Sequence, residues 1–211
     1  MKRYLDILWE WNKKINLTSA SNKGELIKHF LDSLGGINLI KVEKGKLADV
    51  GSGAGFPGMV LAVCLPNINV TLIESVHKKG RFLEFLKKEL ALKNVSVKVE
   101  RAEDLGKEPD YREKFDYVTI RAVSRLNVIV EYALPLLKIG GFFFAYKGPK
   151  VYQEIKDAEN ALRALGGMMV EVYEYKLPYT GEWRSIAVIE KLRACPDKYP
   201  RRTGIPQKRP L

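Results

Sequence analysis

Apolar positions along this chain follow two periods in turn. Leu5, Leu8, Trp9, Asn12 and Ile15 share one face at helical spacing, predicting a helix over 2–15. Leu26, Ile27, Phe30, Leu31 and Leu34 predict a second over 25–35. Strand and helix patterns then alternate. A strand near 46–50 precedes a helix from about 57, and "NVTLIES" (69–75) precedes a helix over 78–92. "NVSVKVE" (94–100) sets Val95, Val97 and Val99 against polar neighbours as a strand does. "FDYVTIR" (115–121) leads into a helix through Leu137, and the aromatic run "GGFFFAYKG" (140–148) into a helix over 151–165. Strands near 168–176 and 184–192 flank the turn-rich "LPYTGEWR" and predict a closing antiparallel pair. This order predicts an α/β fold, a mostly parallel sheet with helices on both faces. One domain is expected: a helical cap over 1–45, a core over 46–192 and an arm over 193–211.

Composition changes this picture in two places. With 46% hydrophobic residues and no apolar run near the roughly 20 residues of a membrane span, a globular protein off the membrane is expected. The first residues lack a signal-peptide pattern, and the two cysteines, Cys64 and Cys195, suggest neither a disulfide framework nor a metal site. The expected compartment is the cytoplasm. Lys and Arg outnumber Asp and Glu by 36 to 25, a net +11, which favours a polyanionic partner over mere solubility. The tail concentrates this charge. Arg193, Lys198, Arg201, Arg202, Lys208 and Arg209 stand there against the one acid Asp197, among four prolines. It reads as an extended arm, with phosphate contact the natural use of Arg201, Arg202, Lys208 and Arg209.

The stretch "LADVGSGAGFPGMVLA" (47–62) carries the chemistry. In open α/β sheets, ligands bind outside the carboxyl ends of the strands. A dinucleotide fingerprint needs glycine or alanine at position 56, where Phe56 stands, and no phosphate-loop lysine follows Gly58. The remaining pattern, Asp49 followed by Gly51, Gly53 and Gly55, suits S-adenosylmethionine, whose amino-carboxylate needs close backbone and a nearby acid. Glu74, at the end of the second strand beside Ser75, is placed for ribose hydroxyls. Glu103 and Asp104 in "RAED" are placed for an adenine edge.

The chain resembles the bacterial small-subunit ribosomal RNA guanine-N7 methyltransferases, also called glucose-inhibited division protein B. The resemblance runs from Trp11 to the C-terminus. It rests on "WNKKINLTS" (11–19), "KHFLDSL" (28–34), "DVGSGAGFPG" (49–58), "ESVHKKGRFLEFL" (74–86), "ERAEDL" (100–105), "IRAVSRL" (120–126), "YKG" (146–148) and "YPRRTGIPQKRPL" (199–211). It implies a class I, Rossmann-like methyltransferase fold with a seven-stranded sheet. It also implies methylation of N7 on one guanine in the decoding region of 16S ribosomal RNA. Positions matching the family's donor site are Gly51, Phe56, Glu74, Ala102, Glu103 and Arg121. Ile120 stands where many relatives have serine, and the stretch before the WNK block is short.

Guanine N7 carries a free lone pair and no proton, so attack on a sulfonium methyl needs alignment rather than a general base. The residues after the fourth strand agree, for "TIRAVSR" has no proline-rich turn of the kind amino-group methylation uses. Arg121 is the expected catalytic residue, near both donor and guanine, with a pairing to Asp116 or Glu103 as the structural alternative. Lys147 is a candidate phosphate contact on the same rim. His29 and Asp32 share a helix face that could reach the cleft, with a helix-surface hydrogen bond the favoured reading. Asn12 and Asn16 are expected to tie down a cap, and Trp183 to pack in the core or at an edge. Removing 199–211 is expected to spare donor binding and impair RNA methylation. The expected partner is 16S ribosomal RNA or the small subunit, acted on by a monomer without metal. The alternatives are methylation of another RNA or a small molecule, and a non-enzymatic RNA-binding factor on the same fold.

Overall fold

The computed structural model describes residues 1–41 and 43–211. Its helices are α1 (Lys2–Ile15), α2 (Lys23–Leu34), α3 (Gly58–Cys64), α4 (His77–Glu89), α5 (Ala102–Leu105), α6 (Leu126–Ala133), α7 (Val151–Asp157), α8 (Glu159–Leu165) and α9 (Ile205–Lys208). The strands are β1 (Gly45–Val50), β2 (Ile68–Ile73), β3 (Val95–Lys98), β4 (Phe115–Arg121), β5 (Leu137–Lys147), β6 (Gly167–Lys176) and β7 (Trp183–Lys191). They form one sheet in the order β3-β2-β1-β4-β5-β7-β6, parallel except where β7 runs against both β5 and β6. After β1 the chain goes to one side for β2 and β3, then returns to the other for β4. The carboxyl ends of β1 and β4 therefore open a crevice.

The period-2 pattern divides the core. Leu47, Tyr117 and Phe144 point to the face covered by α1 to α4, while Ala48, Val118 and Phe143 point to the face covered by α5, α6 and α8. Asp49 and Thr119 are register partners, so their side chains share a face, and the Thr119 hydroxyl donates to Asp49 Oδ1 at 2.8 Å.

Three boundaries differ from the sequence pattern. The helix after β4 stops at Ala133, because Pro135 has no N–H to continue the ladder, and β5 begins at Leu137. The 151–165 segment is two helices meeting at Ala158. The short α5 begins directly at Ala102, in a stretch to which the pattern assigned no element.

The tail is the largest correction. It is folded onto the body rather than extended. The Arg112 guanidinium donates to the carbonyls of Gly106 (2.9 Å), Tyr199 (2.8 Å) and Cys195 (2.7 Å), and Cys195, Tyr199 and Pro206 are buried. Arg201, expected as a phosphate contact, instead grips Glu131 of α6, a residue with no exposed surface. Its Nε lies 2.9 and 3.0 Å from the two carboxylate oxygens, and its backbone N–H adds a bond of 2.8 Å. Arg202, Lys208 and Arg209 remain exposed.

Removing one partner of a buried ion pair strands the other charge. Arg201→Ala should therefore destabilise the protein by about 3–5 kcal/mol in urea unfolding. Adding Glu131→Gln should recover part of that loss.

Candidate active site

The chain leaving β1 is pinned to the end of β2, with the N–H groups of Gly51 and Ser52 donating to the Ile73 carbonyl at 2.8 and 3.2 Å. Gly51 adopts φ +73°, and a Cβ there would come within 2.5 Å of Val123 Cγ2. Glu74 then ties the loop down. Its carboxylate accepts from Gly53 N–H at 2.9 Å and from Val76 N–H at 2.8 Å, and it is almost fully buried. Gly55 makes room for the cap. A Cβ on it would lie 2.3 Å from the Tyr4 hydroxyl, which donates to the Ala54 carbonyl at 2.7 Å and holds α1 against the loop.

Three cavities run along the carboxyl edge of the sheet. One, of about 350 Å³, includes Gly51, Ser75, Ala102 and Glu103 in its lining. Its far wall comes from Val123, Tyr132 and the tail residues Thr203, Gly204 and Gln207. A second, of about 240 Å³, lies between Gly51, Gly53 and Phe56 on one side and Thr18, His29, Lys79 and Arg121 on the other. A third, of about 310 Å³, is bounded by Asp32, Arg121, Ala122, Lys147, Glu154 and Arg184. The first two meet at Gly51, and the last two share Arg121 and Ala122. The sequence-predicted Gly51, Gly53, Phe56, Ser75, Ala102, Glu103 and Arg121 are thereby brought together, and Glu74 holds the loop without lining a cavity. Val123, Tyr132, Lys79, Arg184 and the tail residues had no signal in the pattern that assigned them to the site.

Arg121 is fixed from several sides. Its guanidinium lies 4.9 Å from the centroid of the Phe56 ring, and Nη1 donates to Asp32 Oδ2 at 2.8 Å and to the His29 carbonyl at 3.2 Å. The structural alternative for Arg121 is thus realised with Asp32, rather than Asp116 or Glu103. Asp32 is held in turn by the Tyr175 hydroxyl at 2.8 Å. Phe56 is seated among Tyr4, Phe30 and His29. His29 and Asp32 both line the cleft, where the sequence pattern favoured a helix-surface hydrogen bond. Burial, reinforced by the neighbouring Arg121 charge, holds the His29 pKa below its ordinary value. Ala122 takes φ +56°, a left-handed conformation costing an L-residue about 1–2 kcal/mol, and so turns the chain over the loop.

Two sequence-predicted residues are engaged by the protein itself. Lys147 is no free cation, for its Nζ donates to the Ser124 carbonyl and to Glu154 Oε2, both at 2.7 Å, and burial lowers its pKa. Asp49 has no exposed surface and lines none of the three cavities. Its Oδ2 has no hydrogen-bond partner, and burial lifts its pKa to about 6 against the opposing Thr119 bond. It supports the loop from below, because Gly58 lets α3 start against it; a Cβ at 58 would lie 2.5 Å from Asp49 Cβ. Asn12 and Asn16 tie down the cap as expected. Asn12 Oδ1 accepts from Thr18 N–H at 2.8 Å, and Asn16 is the left-handed C-cap of α1. Among the described residues no cluster of three or more His, Cys, Asp or Glu could hold a metal ion.

Asp49 titrates above its unfolded value, so the folded protein loses stability as pH rises from about 4 to about 6. Asp49→Asn should abolish that loss. Its unfolding free energy relative to the parent should rise by about 2–3 kcal/mol between pH 4 and 7, read by urea melts at the two values. The tail wall leads to a different expectation for the tail. Ending the chain after Arg201 keeps the Glu131 pair, yet removes Thr203, Gly204 and Gln207 from the first cavity. Gly204 N–H donates to Glu103 Oε1 at 3.1 Å, so Glu103 also loses a partner. Affinity for S-adenosylmethionine by calorimetry should fall about tenfold, where the sequence pattern predicts no change.

Residues 1–179 match the family described as "GidB: rRNA small subunit methyltransferase G". A "Ribosomal RNA small subunit methyltransferase G" of Alkaliphilus oremlandii is 48% identical over 211 residues, 99% of this chain and 88% of that protein. One of Pelotomaculum thermopropionicum is 47% identical, covering 100% and 89%. Among solved structures, M. jannaschii TYW2 in complex with AdoMet superposes with a TM-score of 0.62 at 17% identity, covering 83% of this chain and 79% of that one. A SAM-dependent O-methyltransferase from Thermotoga maritima superposes with a TM-score of 0.57 at 17% identity, covering 78% and 66%. These structures share the Rossmann-like class I methyltransferase fold with this chain. By sequence, over nearly its whole length, the chain belongs to the small-subunit ribosomal RNA methyltransferase G family.

Proposed function

We propose that this protein transfers the methyl group of S-adenosylmethionine to N7 of a guanine in 16S ribosomal RNA, acting as a cytoplasmic monomer. The observation that carries this reading is the continuity of the three cavities around Gly51 and Arg121. The first suits a nucleoside, with a carboxylate at Glu103 and small residues at Ser75 and Ala102, while Glu74 holds the loop beside it. The second suits the amino-acid end, where Gly53 leaves the space that a Cβ would fill. The third, beyond Arg121, is left for the substrate base.

Bound there, the donor supplies an electrophilic methyl group on a positively charged sulfur. The protein's part is alignment. Glu74 holds the loop, and Phe56 and Asp32 hold Arg121 on the boundary between the second and third cavities. Guanine N7 has no proton to lose, and the acids around the third cavity are already engaged. Asp32 is paired with Arg121, and Glu154 with Lys147. Such a site orients a nucleophile that needs no activation. A net charge of +11 favours the phosphate backbone of an RNA over a small neutral substrate. Arg202, Lys208 and Arg209 are the tail cations free to meet it. Among the described residues no helix is long and apolar enough to cross a membrane.

Mass mapping of 16S RNA from a strain lacking the gene, before and after the gene is restored, tests the proposal. One guanine should gain a methyl group on N7. A methyl group on another atom, on another RNA or on none would overturn it.

A further inference from the structure

The β6–β7 hairpin carries aromatic surface that the fold does not bury. Trp183, expected to pack in the core or at an edge, is 58% exposed at the start of β7. Lys176 is its register partner, and Lys176 Nζ lies 4.8 Å from the centroid of the indole. Tyr179, at the tip, is 98% exposed. The tip is nonetheless built to a definite shape. Leu177 is buried, Gly181 N–H donates to the Leu177 carbonyl at 3.0 Å, and Tyr179 and Gly181 both adopt φ +68°. Two residues before Lys176, on the same face of β6, stands Glu174, and beside it lies Tyr152 of α7, 59% exposed.

This strip stands at the carboxyl edge of the sheet, the edge that carries the third cavity, since Lys147 at the end of β5 pairs with Ser185, two residues after Trp183. Arg184, which lines that cavity, directly follows Trp183, so the two side chains leave opposite faces of β7. The chemistry of the target explains why aromatic groups belong there. In an RNA helix, guanine N7 lies in a major groove too deep and narrow for protein groups to enter. The methylated guanine must therefore be unpaired and turned out, which leaves its neighbours without stacking partners. Exposed aromatic rings beside a lysine are the general means of holding unstacked bases and their phosphates.

We propose that the hairpin is a stacking platform for unpaired RNA nucleotides flanking the target base. Trp183 and Tyr152 are its base-stacking surfaces at the cavity rim, Tyr179 is the outer one, and Lys176 meets the backbone. This rests on the reading above that the substrate is RNA.

The test uses the full chain with Trp183→Ala, Trp183→Phe and Tyr152→Ala. Dissociation constants at one fixed salt concentration are measured for a single-stranded RNA of about a dozen nucleotides and for a duplex of equal length. Each alanine variant should bind the single strand roughly tenfold more weakly. Trp183→Phe, which keeps a ring, should stay within about twofold, and duplex binding should hardly change. Donor affinity should match the parent, which reports that the variants are folded. Unchanged single-strand binding in both alanine variants would overturn the proposal, and so would an equal loss for strand and duplex. Weakened binding to the small subunit with unchanged binding to free RNA would also overturn it, assigning the hairpin to a ribosomal protein. None of these readings involves methyl transfer, so failure to methylate guanine N7 would leave them standing.

Discussion

One guanidinium joins the parts of the cleft. Arg121 ends a central strand, lies on Phe56 of the glycine loop and bonds to Asp32 and the His29 carbonyl of the cap helix α2. Sheet, loop and cap are elements from distant parts of the chain, and this group holds all three in a fixed relation. Its charge is balanced by Asp32 at a side-chain exposure low enough for the pair to matter. Asp32 also accepts from Tyr175, so β6, at the far edge of the sheet, is tied to the same point. The boundary between the second and third cavities thus rests on a packed network rather than on a mobile side chain.

Polar groups beneath the site show a related economy of contacts. Glu74 spends both carboxylate oxygens on backbone N–H groups, which holds the loop in shape while leaving lone pairs for a ligand. Asp49 is sealed below it with one oxygen unsatisfied and a raised pKa, a strained arrangement of the kind that collects under functional loops. Ala122 adds backbone strain at the same place.

The alternation of periods 2 and 3.6 made the element order and parallel sheet legible, because each strand must turn alternate residues to two helical layers. The glycine loop, Glu74 and Glu103 were legible because their spacing follows the sheet's connectivity. What escaped depends on partners far apart in sequence. Arg201 looked like a free cation because its partner Glu131 lies 70 residues away. The missed signal was Glu131 itself, a lone carboxylate in the apolar run "NVIVEYAL", which requires a buried counter-charge. Lys147 was misread although its partner Glu154 is only seven residues on, because the pairing forms only once α7 folds back. Trp183 was assigned to packing from its hydrophobicity, but a hairpin tip extends past the helices that would cover it.

The C-terminal wall of the first cavity has a consequence for synthesis. Every strand of the sheet precedes residue 192, so the sheet and the glycine loop are translated before Thr203, Gly204 and Gln207 exist. The first cavity is closed by residues that belong to no strand of the sheet, so its wall depends on Gly204 settling against Glu103 as well as on the folded core.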